Sequence, residues 1–289
     1  MNTIHLSRFD YFEPGSVAEA SALLAEYGGR ARILAGGIDL IPRIRNGSIK
    51  AECLINIQNI PGLNEISFRE DGLYIGAMAR LYDLDISEGL KAGYPILQEA
   101  IHQITSVQSK IMGTAIGNIC LATPASDVAT AMMALGAELM ISGTKGERCV
   151  RIEDFYTGYR ETVLKPDEFV TGAFVTKPAP GAGAAFLNRV RTHADIAKIS
   201  VAAAVVVRDG ICSEARIALG AVAPTVVRAK SAESVLIGQR ISESLIKEAA
   251  ECAVSDGDPI TDFRSTAEYR SGMIAVLVGR ALEKAARIA

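Results

Sequence analysis

Apolar positions first recur at helical spacing at Val17, Ala20, Leu23, Leu24 and Tyr27, which predicts a helix with one buried face. Pro14-Gly15 turns the chain before it. Ser16-Val17-Ala18-Glu19 is a capping box, in which Ser16 takes the Glu19 N–H while Glu19 reaches back. Gly28-Gly29 ends the helix. Apolar runs at 31–35 and 53–57 predict strands, with a short helix at 38–44 interrupted near Pro42. Helix, strand, helix, strand makes a small α/β subdomain. Beyond Pro61-Gly62, runs at 65–69 and 73–77 flank Glu70-Asp71-Gly72, and runs at 138–142 and 148–152 flank a glycine-bounded turn at 143–146. Both read as hairpins. Helices are expected at 81–88 and 95–104, and a strand at 169–176 after Pro166-Asp167-Glu168. The connection P-A-P-G-A-G at 178–183 leads to strands at 184–190, 199–208 and 215–221, with Asp209-Gly210 as a hairpin turn, and then to helices at 228–236, 242–254 and 264–287. The pattern predicts an α+β protein with a first domain over 1–177, divided into subdomains at about 1–58 and 59–177, and a smaller C-terminal α+β domain over 178–289.

Two glycine-bearing stretches interrupt this pattern. The first, M-G-T-A-I-G-N-I-C-L-A-T-P-A-S-D at 112–127, crowds hydroxyls, an amide and glycine-exposed backbone N–H groups in front of an apolar helix. That is chemistry suited to a phosphate-bearing ligand. It also reads as a turn with a good helix cap, in which Thr123-Pro124 opens the helix and Asp127 sits in its first turn. The second, I-L-A-G-G-I-D-L at 33–40, runs strand, glycine turn, helix N-terminus, the local geometry that lets a backbone wrap a pyrophosphate. Neither stretch is G-x-G-x-x-G or a P-loop.

The 289 residues are enough for two domains. A net charge of −3 leaves no basic footprint, which disfavours nucleic acid as a partner. The longest clear apolar run, 201–207, is far short of a membrane span, and the first residues lack a signal-peptide core, so the expected location is cytoplasmic. Cys53, Cys120, Cys149, Cys212 and Cys252 are scattered without metal-binding spacing, as are His5, His102 and His193. No metal is expected, and redox chemistry would have to come from a bound organic cofactor.

Five segments in order, F-x-Y-F-x-P at 9–14, A-G-G-I-D-L at 35–40, G-T-A-I-G-N-I-C-L-A-T-P-A-S-D at 113–127, K-P-D-E-F at 165–169 and R-x-x-x-D-I-A at 191–197, together resemble the FAD-binding medium subunit of the xanthine dehydrogenase and carbon monoxide dehydrogenase family of molybdenum hydroxylases. The resemblance spans essentially the whole chain. It implies an FAD-binding domain of the vanillyl-alcohol-oxidase type, followed by a C-terminal α+β domain. It also implies FAD contacts at Leu34, Ala35, Gly36, Gly37, Ile38 and Asp39, at Thr114, Gly117 and Asn118, and at Ser126 and Asp127. Val170 matches a position near an apolar cofactor contact, and Arg191, Asp195 and Ile196 match a loop approaching the flavin ring.

The sequence departs from the family pattern in two places. Ile116 replaces the first glycine of a usual pair, so either the loop has shifted or the backbone there has negative φ. A lysine common shortly after the aromatic at Phe186 is absent, and a basic contact is either lost or moved to Arg189. The implied role is an FAD-carrying electron-transfer subunit. It would take electrons from a [2Fe-2S] small subunit, beside a molybdopterin-containing large subunit, and pass them to NAD(P)⁺ or another acceptor. No side chain stands out as a catalytic acid, base or nucleophile. Cys120 reads as a buried small hydrophobe. Two other classes are a self-contained flavin-dependent oxidoreductase acting on a small molecule, and a non-catalytic nucleotide-binding scaffold.

Overall fold

The computed structural model describes residues 8–104, 106–192 and 195–288. His5 and His193 lie outside them.

Three sheets follow one another along the chain. The first is parallel, with β3 (Cys53–Asn56) at its centre between β1 (Asp10–Phe12) and β2 (Ala31–Leu34). All four residues of β3 are buried, as befits a central parallel strand. Helix α1 (Val17–Tyr27) packs on this sheet through the face that the spacing marks. Its cap differs in one respect: Ser16 Oγ accepts the Glu19 N–H, but Glu19 reaches past Ser16 to the N–H of Gly15, at 2.8 Å. Helix α2 (Leu40–Arg45) carries Pro42 without interruption, because Pro42 falls in the first turn, where backbone N–H groups need no intrahelical partner.

The second sheet is antiparallel, in the order β4 (Ile66–Phe68), β5 (Gly72–Gly76), β10 (Phe169–Thr176), β6 (Glu138–Gly143), β7 (Gly146–Arg151). Both expected hairpins are present as antiparallel pairs. Between β5 and β6 run α3 (Leu81–Asp85), α4 (Glu88–Gly93), α5 (Pro95–His102), α6 (Val107–Met112), α7 (Ala115–Cys120) and α8 (Asp127–Ala134). Here the pattern reading falls short. The polar stretch at 112–127 contains a whole helix, α7, and α8 opens at the Ser126 cap rather than at Thr123-Pro124. A small hairpin of β8 (Tyr156–Gly158) and β9 (Glu161–Thr162) stands apart from the sheet.

The third sheet, β11 (Ala182–Arg189), β12 (Ile199–Arg208), β13 (Ile211–Gly220) and β14 (Val227–Arg228), is antiparallel and backed by α9 (Lys230–Leu236), α10 (Glu243–Cys252) and α11 (Ala267–Ile288). The turn between β12 and β13 has positive φ at both Asp209 and Gly210, which matches the twist of the strands it joins. Strand β12 is apolar from Val201 to Val207 because both its faces are covered. Val201, Ala203 and Val205 pack with the C-terminal helices, whereas Ala202 joins the core of the preceding units. That larger core is continuous from Ala20 in the first unit to Val226 in the last. Among the described residues no helix is long and apolar enough to cross a membrane.

Candidate cofactor site

The two glycine stretches meet. The turn after β2 lays Gly36 directly on the backbone of Met112 and Gly113: a Cβ at Gly36 would overlap the Met112 carbonyl oxygen and stand 2.8 Å from its carbon. Gly37 turns the chain with φ +71°, a conformation that side chains rarely adopt. Between β2 and α2, the backbone N–H groups of Gly36, Gly37, Ile38 and Asp39 find no acceptor among the described residues. Consecutive free amides in a turn form an anion-binding concavity.

On the facing segment, Thr114 caps α7, its Oγ1 accepting the Gly117 N–H at 3.0 Å. Ile116 lies in the first turn of that helix, is 2% exposed and has no positive φ. The missing glycine therefore causes no strain, and an isoleucine there extends the core. Ser126 caps α8, accepting the Ala129 N–H at 3.1 Å, and its hydroxyl donates to Asn118 Oδ1. Asn118 and Ser126 are thus locked together across the connection from α7 to α8.

Asp127 opens α8. Its Oδ1 is shielded from solvent and meets no hydrogen-bond donor among the described residues. Burial pushes its pKa up to about 7, against the opposing pull of Ser200 and Asn188. Those two residues lie on β12 and β11, so the C-terminal sheet closes one end of the site. Neither residue stood out as a site candidate in the sequence: Ser200 is one polar position in an apolar strand, and Asn188 marks a place where the family's lysine could stand. Arg189 is exposed, and strand alternation puts it on the opposite face from Asn188. Neutral Asn188 stands beside Asp127.

The loop between β11 and β12 springs from these same strand ends. In it Arg191 Nε pairs with Asp195 Oδ2 at 3.3 Å, and Asp195 Oδ1 accepts the Ile196 N–H at 3.0 Å. Ile196 is half exposed. Val170 is buried in β10, beside the irregularity that shifts its register against β6. These residues belong to separate elements from the two glycine stretches.

The donor and acceptor set fits FAD. Free turn amides suit its diphosphate, and a buried carboxylate oxygen without a donor suits a hydroxyl or ring N–H. Cys120 is no candidate nucleophile, because burial pushes its thiol up to about 12.

Residues 7–178 match the family model described as the FAD binding domain in molybdopterin dehydrogenase, and residues 184–285 match the CO dehydrogenase flavoprotein C-terminal domain. The chain is 35% identical to the carbon monoxide dehydrogenase medium chain of Afipia carboxidovorans, over 96% of both chains. It is 32% identical to caffeine dehydrogenase subunit beta of a Pseudomonas species, over 96% of this chain and 95% of that one. A solved carbon monoxide dehydrogenase from Hydrogenophaga pseudoflava superposes with a TM-score of 0.94 at 34% identity, covering 97% of this chain and 98% of that one. Quinoline 2-oxidoreductase from Pseudomonas putida gives 0.90 at 29% identity, with 98% of each chain covered. The chain belongs to the FAD-binding medium-chain family of the molybdopterin dehydrogenases.

Proposed function

We propose that this chain is the FAD-carrying electron-transfer subunit of a multi-subunit molybdenum hydroxylase. It receives electrons from [2Fe-2S] clusters of a small subunit, works beside a molybdopterin-containing large subunit, and delivers the electrons to an external acceptor such as NAD(P)⁺. The observation that carries this is the meeting of the Gly36-Gly37 turn with the Met112-to-Asn118 segment, with four turn amides left free. The full-length likeness to medium chains supports it.

FAD, when bound, accepts and releases an electron pair; the chain's own residues hold and orient it. In this reading the turn from Leu34 to Asp39, with Ala35, Gly36, Gly37 and Ile38 between, supplies backbone donors. Thr114, Gly117 and Asn118 form the opposite wall. Ser126 fixes Asn118, and Asp127 accepts one hydrogen bond. Val170 packs from the sheet side, and the Arg191, Asp195 and Ile196 loop borders the ring. Thr114 and Ser126 already use their hydroxyls as helix caps, so their first task is to shape the wall.

The test is a visible spectrum of the purified chain, with the cofactor released by heat and identified. One FAD per chain, bleached by NADH or by reduced [2Fe-2S] partner, supports the reading. A colourless chain that takes up no FAD overturns it. Turnover of a small molecule by the isolated chain would favour a self-contained oxidoreductase instead.

A further inference from the structure

Outside the walls just described, three arginines on elements that border the groove have no ion-pair partner among the described residues. Arg43 lies on α2, four residues after Asp39, and its Nε is shielded from solvent and has no acceptor among the described residues. Arg160 stands at the turn between β8 and β9. Its backbone is held in the left-handed region at φ +60°, and its N–H donates at 2.8 Å to the carbonyl of Ala122, itself at φ +51°. Ala122 lies two residues past the end of α7. Arg160 is therefore anchored to one side of the groove and Arg43 to the other, and those sides touch at Gly36 and Met112. Arg32, on β2, is the third, and its Nη1 already donates to the carbonyls of Gly29 and Ala31.

Among the described residues none of the three has a carboxylate within 4 Å. Arg43 is held below its usual pKa by burial and then by the charge of Arg160 beside it; Asp39 and Tyr159 oppose this, and Arg32 adds to it. Asp39 is the acidic neighbour, and burial disfavours its ionisation against the pull of Arg43 and Arg160. A cluster of this kind is stabilised by an anion from outside the chain. An anion with more than one charge and several acceptor oxygens, such as a diphosphate, matches two guanidinium groups on opposite sides of a groove.

We propose that Arg43 and Arg160 clamp the diphosphate of a dinucleotide from opposite sides, with the free amides of Gly36 to Asp39 beneath it. The proposal rests on the flavoprotein reading. The diphosphate belongs either to the resident FAD or to a nicotinamide dinucleotide acceptor, and the test separates these sources.

R43Q, R160Q and R160K are made in the full chain, stripped of flavin, and titrated with FAD and with FMN by flavin fluorescence. The FAD-loaded proteins are then reduced with NADH and NADPH. For an FAD clamp, each Gln variant binds FAD about tenfold or more weakly, FMN binding changes less, and R160K retains most of the affinity. For an acceptor clamp, FAD binding holds while the KM for NADH or NADPH rises by a similar factor. Unchanged binding of both overturns the proposal. If R43Q fails to fold, R160Q decides, since Arg160 is on an exposed turn. A wild-type chain that takes up no FAD would instead bring down the flavoprotein reading.

Discussion

Gly36 and Met112 are in backbone contact, with no room for even a methyl group between them. Because both partners are main chain, no rotamer change relieves a larger residue at position 36. G36A should therefore separate the two loops, cost about 1–3 kcal/mol of stability and lose most bound FAD. A thermal melt together with the flavin absorbance of the purified variant checks this. A yellow G36A protein with the wild-type melting temperature would show that the loops part freely.

Asp127 makes the flavin-free chain sensitive to pH. Its folded pKa, about 7, lies above the unfolded value near 4, so the folded chain binds more protons between these limits. Its contribution to stability is full below about pH 4 and is lost as pH rises toward 7. D127N carries no such charge. Melts of the flavin-free proteins at pH 5 and pH 8 should show D127N gaining on wild type at the higher pH by a few degrees. A constant gap would mean that Asp127 ionises normally.

Arg228 ties the C-terminal unit to the second sheet's unit. It donates to Glu153 at 2.6 Å, and to both carboxylate oxygens of Glu233 at 2.7 and 2.6 Å. Glu233 also takes the Ile217 N–H at 2.8 Å. R228M leaves Glu233 without its ion-pair partner, while Glu153 keeps Arg151, and should cost about 3–5 kcal/mol. Adding E233Q should recover part of that loss, because a neutral side chain tolerates burial better than an unpaired charge. Denaturant midpoints of the single and double variants measure both effects.

The thiols should divide by environment. Cys149 is exposed on β7, whereas Cys53 and Cys212 are buried and the Cys120 thiol is pushed up to about 12. A thiol reagent at neutral pH should modify Cys149 first and spare Cys120 until the chain unfolds. C120A should keep its flavin. Rapid modification of Cys120 in the folded protein would contradict the burial argument.

Regular stretches were legible in the sequence because their cues are local. The α1 face and the Asp209-Gly210 turn depend on neighbouring residues alone. The segment at 112–127 looks like a polar loop in sequence because its glycines and hydroxyls are poor helix formers. In the fold, Thr114 and Ser126 spend those hydroxyls as caps, and two helices result. Ile116 illustrates the opposite limit: a residue that looks strained in a loop is at ease in a helix facing the core. Arg43, Arg160, Asn188 and Ser200 could not be grouped from sequence, since they come from four separate elements joined only by the tertiary fold.

Helix α8 carries Asp127 at its start and Thr130 one turn on, where Thr130 meets Ser200 of the C-terminal sheet at 3.4 Å. Ala221 donates its N–H to Pro124 O at 2.6 Å, and Lys284 reaches back to Glu99 at 2.6 Å. The two halves therefore resist being treated as interchangeable cassettes. A chimera that joined this N-terminal half to the C-terminal half of a relative would have to import a matching serine, backbone turn and lysine together. Without them, the graft would fail at the cofactor groove before it failed at the seam.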